Sequence, residues 1–287
     1  MIALMLGAVL ISFSSVMIVL AGLPPDVAGF YRLMGGGLTM MAVLAWCGRL
    51  NLITPRILKW GLVGGLFYAG DFFFWHRCIG YVGPGMATML GNFQVIPLTI
   101  LSVILLKERV TRLQLLAIPL ALAGLYLMVG VQWDTFSADF RMGVYFGLLT
   151  ALFYALYLFS LKYALAEVRA DPLVIAAVVA VITGVILGSL AVGGGQSFVI
   201  PSLESLAAIS ALALGCHAVG CFLIARGMQF VRGAAIGLIL LLQPVLSYIW
   251  DILFFAKPVV WVELAGVAAA LAGIYIGSVR PGKSHTE

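Results

Sequence analysis

Apolar stretches of about 20 residues recur along almost the whole chain, separated by short breaks that are polar or rich in Gly and Pro. A helix of about 20 apolar residues is long enough to cross a hydrocarbon layer of ~30 Å. The breaks contain residues typical of turns, as in Leu23-Pro24-Pro25-Asp26, Gly83-Pro84-Gly85 and Asp171-Pro172. The pattern predicts ten membrane-spanning helices, here numbered spans 1 to 10, at residues 2–22, 27–47, 57–79, 84–106, 111–130, 141–163, 172–193, 204–226, 232–255 and 259–279.

The second half of the chain repeats the first at a shift of 149 positions. Residues 66–130 align with residues 215–279 without a gap, and 13 of the 65 positions are identical. The identities include Arg77 with Arg226, Gln94 with Gln243, and ALAGLY (121–126) with ALAGIY (270–275). Such self-similarity predicts two structural repeats. Because each half holds five spans, the two repeats are expected to cross the membrane in opposite senses.

Composition agrees with a membrane architecture. Hydrophobic residues make up 63% of the chain and charged residues 9%, whereas soluble domains carry about 25% charged residues. Strands of a barrel would give short alternating segments instead of long apolar ones. We therefore expect an all-α integral membrane protein with two inverted five-helix repeats around a central cavity. Its single membrane domain (1–287) is expected to divide into repeat one (1–130), a connector (131–140), repeat two (141–279) and a tail (280–287).

The distribution of basic residues predicts the orientation in the membrane. With the N-terminus in the cytoplasm, 12 of the 16 Lys and Arg fall in inner loops and the tail, three in outer loops and one, Arg32, inside span 2. This follows the positive-inside rule and places both termini in the cytoplasm. The net charge of +5 then serves orientation and contact with anionic lipid headgroups, and nucleic-acid binding is not expected.

The sequence shows no pattern typical of an enzyme, a metal site or a cofactor. The four cysteines lie in or at the ends of spans, without CxxC spacing or a nearby His or carboxylate cluster, and are expected to be packing residues. HExxH, GxSxG, paired catalytic carboxylates and a phosphate-binding Gly-rich loop are absent from the sequence. The expected partners are a small-molecule substrate and the lipid bilayer, and a monomer is compatible with the sequence.

Inverted repeats are the usual architecture of secondary transporters. Two halves of similar shape can pack in two pseudo-symmetric arrangements, each open to one side of the membrane, with a site near the midplane. Alternating access is therefore the expected mechanism. A duplicated membrane scaffold is the alternative.

The ends of the two repeats carry a family resemblance. LLKERVTRLQLLAIPLALAGLYLMV (105–129) resembles the end of the first repeat in the drug/metabolite transporter superfamily, EamA branch, and FFAKPVVWVELAGVAAALAGIYIG (254–277) occupies the matching place. The resemblance implies ten spans with both termini inside. Within the branch, the chain is most similar to bacterial inner-membrane exporters of aromatic and other amino acids. Export of other metabolites or drugs is the alternative, and a channel or an intramembrane enzyme is a more remote one.

Polar and ionisable side chains inside spans mark the expected substrate site, because each is costly in lipid. Asp71 lies in span 3, and Tyr68 and Trp75 share its helical face by the 3.6-residue periodicity. A phenol, a carboxylate and an indole on one face fit a hydrated cavity that binds a substrate. The alternative is a buried ion pair of Asp71 with Arg32 or Arg77.

Further candidates for substrate contacts supply amides, rings and an imidazole. They are Asn92 and Gln94 in span 4, Tyr154 and Tyr157 in span 6, His217 in span 8 and Gln243 in span 9. Each is expected either to contact the substrate or to pack between helices. In the expected mode of binding, the ammonium of an amino acid lies near Asp71 or the tyrosine rings, and its carboxylate meets amide or His donors.

Four residues are candidates for gating or hinge roles: Arg32, Pro97, Glu108 and Pro244. The two prolines are expected to interrupt helical hydrogen bonding, which frees a carbonyl or forms a hinge. Glu108 matches the acidic position of the resembled family, which implies a hinge or bracing contact that the second repeat lacks. Arg32 is expected to snorkel to the outer surface, with capture of a substrate carboxylate as the alternative.

Overall fold

The computed structural model describes residues 2–106, 112–127, 136–166, 168–228, 240, 242–256 and 258–278, and the regular structure within these ranges is entirely helical. Helices lie on all ten predicted spans, and we keep the span numbers for them. Their bounds, in chain order, are Ile2–Ser12 and Ser14–Ala21, Pro25–Trp46, Pro55–Val82, Pro84–Gly91 and Val95–Leu106, Arg112–Leu125, Ala138–Ala166, Pro172–Gly193, Leu203–Ala211 and Phe222–Met228, Leu242–Phe255, and Trp261–Ser278.

Seven helical stretches in the described part of the chain are long and apolar enough to cross a membrane. They are Ile2–Ala21, Pro25–Trp46, Pro55–Val82, Pro84–Leu105, Ala138–Ala166, Pro172–Gly193 and Leu203–Gly227. Shorter apolar helices, Leu115–Gly124, Leu242–Phe255 and Trp261–Gly273, lie on spans 5, 9 and 10. The chain is thus a multi-pass helical membrane protein, and the count of ten crossings stays a prediction.

The turn residues of the sequence become the first residues of helices. Proline begins spans 2, 3, 4 and 7, where its missing N–H would have no helical partner in any case. The Asp171 side chain caps span 7 by accepting hydrogen bonds from the backbone nitrogens of Leu173 (3.0 Å) and Val174 (3.3 Å). Span 2 begins at Pro25, two residues earlier than predicted, and Asp26 lies buried in its first helical turn.

The helices pack in pairs that join the two halves of the chain. Span 2 packs along span 7, span 3 along span 6, span 5 along span 10, and span 1 along span 8. Small residues allow these close approaches. A Cβ atom added to Gly184 of span 7 would lie 2.9 Å from the backbone nitrogen of Met34 in span 2. The largest buried apolar cluster lies among spans 2, 3, 6 and 7 and forms one wall of the site described below.

Three spans are broken in the middle within the described residues. Span 4 changes from α-helix to a 3-10 turn over Asn92–Gln94, because Pro97 has no N–H to offer the Phe93 carbonyl and its ring crowds that carbonyl. Span 8 widens into π-helical turns over Leu212–Cys221, a geometry often found at functional sites. Span 1 breaks at Phe13.

The break in span 1 is held by span 9. The Ser247 hydroxyl donates to the Ser12 carbonyl oxygen (3.0 Å), and Trp250 Nε1 donates to Ser12 Oγ (3.0 Å). The Trp250 ring also stacks on Phe13 with 4.5 Å between ring centroids. A hydroxyl from the second half of the chain therefore satisfies a backbone carbonyl at the break in the first half, and Trp250 braces the Ser12 side chain.

Candidate functional site

A cavity lies between the two halves of the chain, with an empty volume of about 760 Å³ including the part that opens to solvent. Residues of spans 1, 2, 3, 4, 6, 8 and 9 line it. The predicted substrate residues that line the cavity are Tyr68, Asp71, Trp75, Asn92, Tyr154, Tyr157 and Gln243. Gln94 and His217 are not among the lining residues, whereas Arg32 is.

One wall of the cavity is a stack of aromatic rings. The Tyr68 and Tyr157 rings lie parallel, with centroids 4.0 Å apart and an interplanar angle of 9°. Tyr154 continues the stack at 5.8 Å from Tyr157, and Phe72 meets Tyr68 edge to face at 4.6 Å. Such a wall holds an apolar or aromatic group, and the faces of its rings attract a cation.

Asp71 supplies a carboxylate to the cavity. It is 7% exposed, and no hydrogen bond or ion pair joins it to another residue in the described part of the chain. The expected alternative of a pair with Arg77 is wrong, because both Arg77 terminal nitrogens bind Asp26, at 2.8 and 2.7 Å. Asp71 thus keeps its oxygen atoms free for a ligand.

Arg32 faces inward. Its side chain lies in the cavity wall and the residue is 2% exposed, so the expectation that it snorkels to the surface is wrong. The guanidinium carbon lies 4.7 Å from the centroid of the Phe72 ring and 5.7 Å from that of Trp75. Its Nε and Nη1 atoms have no hydrogen-bond partner among the described residues.

Comparison with known proteins decides the family. The model of the EamA-like transporter family matches residues 1–130 and 141–279. The chain belongs to the EamA-like transporter family. Family membership confirms the predicted resemblance and implies a membrane transporter of small metabolites. No curated protein matches the sequence.

A solved structure shares the fold of this EamA-like transporter. It is described only as "Crystal structure of protein", and it is 18% identical with a TM-score of 0.71. The match covers 96% of this chain and 94% of the other. At this identity the similarity shows the fold alone, so the site of the transporter has to be interpreted from its own residues.

His217 lies behind the aromatic wall of the transporter. Its Nδ1 lies 3.4 Å from Cys221 Sγ, which lies 3.8 Å from the Tyr68 hydroxyl. The His217 ring lies 6.2 Å from that of Tyr68, and a Cβ atom on Gly36 would come within 2.6 Å of His217 Cδ2. His217 thus reaches the Tyr68 hydroxyl through Cys221, and Cys221, which was expected only to pack, lines the cavity itself.

The amide side chains of the transporter differ in their surroundings. Asn92 Nδ2 donates to the Thr88 carbonyl on its own helix (2.8 Å). Gln243 Nε2 and Gln94 Oε1 are buried without a partner among the described residues. Only Asn92 and Gln243 line the cavity, so Gln94 is not brought to the site.

The hinge candidates of the transporter are placed unequally. Pro97 follows the 3-10 turn of span 4 and explains it, as argued above. Pro244 lies at the third residue of the helix Leu242–Phe255. Glu108 lies outside the described residues.

Sequence reasoning missed a set of hydroxyl groups that line the cavity of the transporter. They are Ser14, Ser15, Thr88, Thr150 and Ser247. Short polar side chains in apolar spans were the available signal, but the same residues commonly bond to their own helix, as Thr88 does to Pro84 (2.9 Å). Across the described residues, no three His, Cys, Asp or Glu side chains form a group that could hold a metal.

Proposed function

We propose that this EamA-like transporter exports amino acids, aromatic and other neutral ones, by alternating access. The observation that carries the proposal is the combination, in one cavity, of a carboxylate that forms no ion pair with the described residues and a stack of three tyrosine rings. A carboxylate and ring faces attract an ammonium group, and the rings accept an apolar or aromatic side chain. An amino acid presents both groups a few bonds apart.

The arrangement of helices supports two inverted repeats as the moving parts. The same family model matches each half of the chain. Spans 2 and 7, and spans 5 and 10, are counterparts in the repeat and pack on each other, and the pair of spans 3 and 6 corresponds to the pair of spans 8 and 1. This is the packing expected around a pseudo-two-fold axis in the membrane plane. Rocking of one repeat against the other would open the cavity to either side.

The proposed orientation follows the basic residues. Both termini lie in the cytoplasm, and the membrane is the inner membrane of a bacterium, as the positive-inside distribution and the resemblance to exporters indicate. In this orientation the Asp26–Arg77 pair lies at the outer end of the bundle, and the Arg49–Asp171 pair lies at the inner end. The broken spans 1, 4 and 8 supply places where a helix can bend during transport, and we assign the hinge in span 4 to Pro97.

Transport by purified protein in liposomes tests the proposal. A panel of amino acids is assayed with and without an imposed pH gradient, which also reveals proton coupling. Asp71→Asn and Tyr68→Ala are each expected to lower the transport of neutral amino acids by about tenfold or more. The first removes a charge-assisted bond, which contributes about 1.5–3 kcal/mol. The second removes a ring face, and desolvated cation-π contacts contribute roughly 2 kcal/mol.

Two exposed residues outside the cavity provide matched controls. Asp139→Asn and Tyr126→Ala make the same chemical changes and are expected to leave transport unchanged. Absence of transport for every amino acid would contradict the proposed function. Unsaturable flux without countertransport would favour a channel, and transport of other metabolites alone would favour the alternative exporter.

A further inference from the structure

Arg32 is a buried cation whose Nε and Nη1 donors are not used by the described part of the protein. A guanidinium carries five N–H donors and keeps its charge at any physiological pH. Arg32 is 2% exposed, and its Nε and Nη1 atoms have no hydrogen-bond partner among the described residues. Buried charges are normally paired, because removing them from water is costly. This arrangement calls for an anion.

The nearby acids do not supply that anion by direct contact. Asp26 accepts two bonds from Arg77 and a third from Gln196 Nε2 (2.7 Å). Asp71 shares the cavity with Arg32, but no ion pair joins the two in the described structure. His76 and His217, which also interact electrostatically with Arg32, carry no negative charge.

The protein holds the Arg32 side chain in one orientation by stacking. Phe72 and Trp75 are three residues apart on one face of span 3, and both rings lie close to the guanidinium. Cation-π contacts engage the face of a guanidinium and do not use the N–H donors along its edge. That edge matches a carboxylate in a bidentate geometry.

We propose that Arg32 binds the carboxylate of the transported substrate, while Asp71 binds its ammonium group. The inference rests on the proposed function and sharpens it, since it names a zwitterion as the substrate class. Two opposite charges that line one cavity without forming a pair are complementary to a zwitterion. Arg32, which was a candidate for gating, is in this account a specificity-determining residue.

A cavity of this kind rejects molecules that lack one of the two charges. A decarboxylated amine would leave Arg32 unpaired, and a deaminated acid would leave Asp71 unpaired. When a ligand leaves a buried polar group of its site unpaired, the site discriminates against that ligand by factors as large as about 10⁴–10⁵. We expect at least about 100-fold discrimination here, because the cavity opens partly to solvent.

Binding of three related compounds tests the proposal: L-phenylalanine, 2-phenylethylamine and 3-phenylpropionate. Affinities are measured on the purified full-length protein by competition and by ligand-induced thermal stabilisation. Arg32→Gln is expected to weaken phenylalanine binding by about 100-fold and leave phenylethylamine binding unchanged. Arg32→Lys keeps the charge without the bidentate geometry. Its phenylalanine affinity is expected to be about tenfold higher than that of Arg32→Gln. Asp71→Asn is expected to remove the discrimination against phenylpropionate instead.

Arg56→Gln is the matched control, because Arg56 is exposed and lies away from the cavity. It is expected to keep the wild-type ratios. The inference is overturned if Arg32→Gln keeps the wild-type ratio of phenylalanine to phenylethylamine affinity. If the wild type binds phenylpropionate in an Arg32-dependent way and binds no amino acid, the carboxylate contact stands and the proposed amino-acid function fails. If Arg32→Gln does not fold, a wild-type ratio in Arg32→Lys overturns the bidentate contact.

Discussion

Two arginines on neighbouring helices meet opposite surroundings. Arg32 in span 2 and Arg77 in span 3 both stack on phenylalanine rings of span 3, at 4.7 Å from Phe72 and 3.6 Å from Phe73 respectively. Arg77 binds both oxygen atoms of Asp26 and the Phe73 carbonyl oxygen (3.0 Å). Arg32 makes no comparable hydrogen bond or ion pair among the described residues.

The difference separates a structural charge from a functional one. The Arg77 pair joins the start of span 2 to the end of span 3, and Gln196 adds the segment after span 7. Every strong contact of Arg77 is made within the protein, so its value lies in the fold. Arg32 leaves its donors for a ligand, so its value lies in recognition. Substitution of Arg77 should therefore change stability, whereas substitution of Arg32 should change substrate binding.

Arg77→Gln is expected to give the largest loss of stability. It leaves the Asp26 carboxylate, in a residue 1% exposed, with Gln196 as its remaining side-chain hydrogen-bond partner among the described residues. Removing one partner of a buried ion pair lowers the free energy of unfolding by about 3–5 kcal/mol. The change in the free energy of unfolding is measured by denaturing the protein in detergent micelles and monitoring the loss of helix.

The double variant Asp26→Asn with Arg77→Gln is the control for this prediction. It removes both charges and should recover a large part of the loss, because neither charge is then buried alone. A loss below about 1 kcal/mol in Arg77→Gln would contradict the distinction, since it would make the Arg77 pair no more structural than an exposed one.

Helical periodicity is enough to predict much of the cavity. The face of Tyr68, Asp71 and Trp75 was expected from spacing within one helix, and all three residues line the cavity. The orientation of Arg32 was not predictable in this way. Whether an arginine near a helix end snorkels or turns inward depends on its neighbours in space, here Phe72 and Trp75 on another helix.

Helix breaks show the same limit. The 3-10 turn in span 4 has a local cause in Pro97, and the sequence indicated it. The break at Phe13 has no such signal, because the contacts that support it come from span 9: Ser247 binds the Ser12 carbonyl oxygen and Trp250 binds the Ser12 hydroxyl. Gly220, the counterpart of Asp71, packs close to span 1, with Ile11 Cγ1 2.9 Å from where a Cβ would lie.

Arg49→Gln sharpens the comparison by removing a pair that is formed but not deeply buried. The Arg49 and Asp171 side chains are 45% and 22% exposed. Exposed pairs contribute about 0–1 kcal/mol, and salt screens them. The loss of unfolding free energy should therefore be below about 1 kcal/mol and should shrink at 1 M salt. A loss as large as that of Arg77→Gln would show that pairing alone, without burial, determines the cost.

Arg32→Gln is expected to give the smallest loss of stability, although Arg32 is more deeply buried than Arg77. The substitution removes a cation that has no direct acid partner among the described residues. The lost cation-π contacts, roughly 2 kcal/mol, are therefore offset by relief of the desolvation cost. The free energy of unfolding without substrate should stay within about 1 kcal/mol of the wild type or rise. Melting with saturating phenylalanine should then separate the two proteins, because only the wild type keeps the carboxylate contact. A loss of about 3 kcal/mol without substrate would mean that Arg32 has a structural anion of its own, and the two arginines would no longer differ in kind.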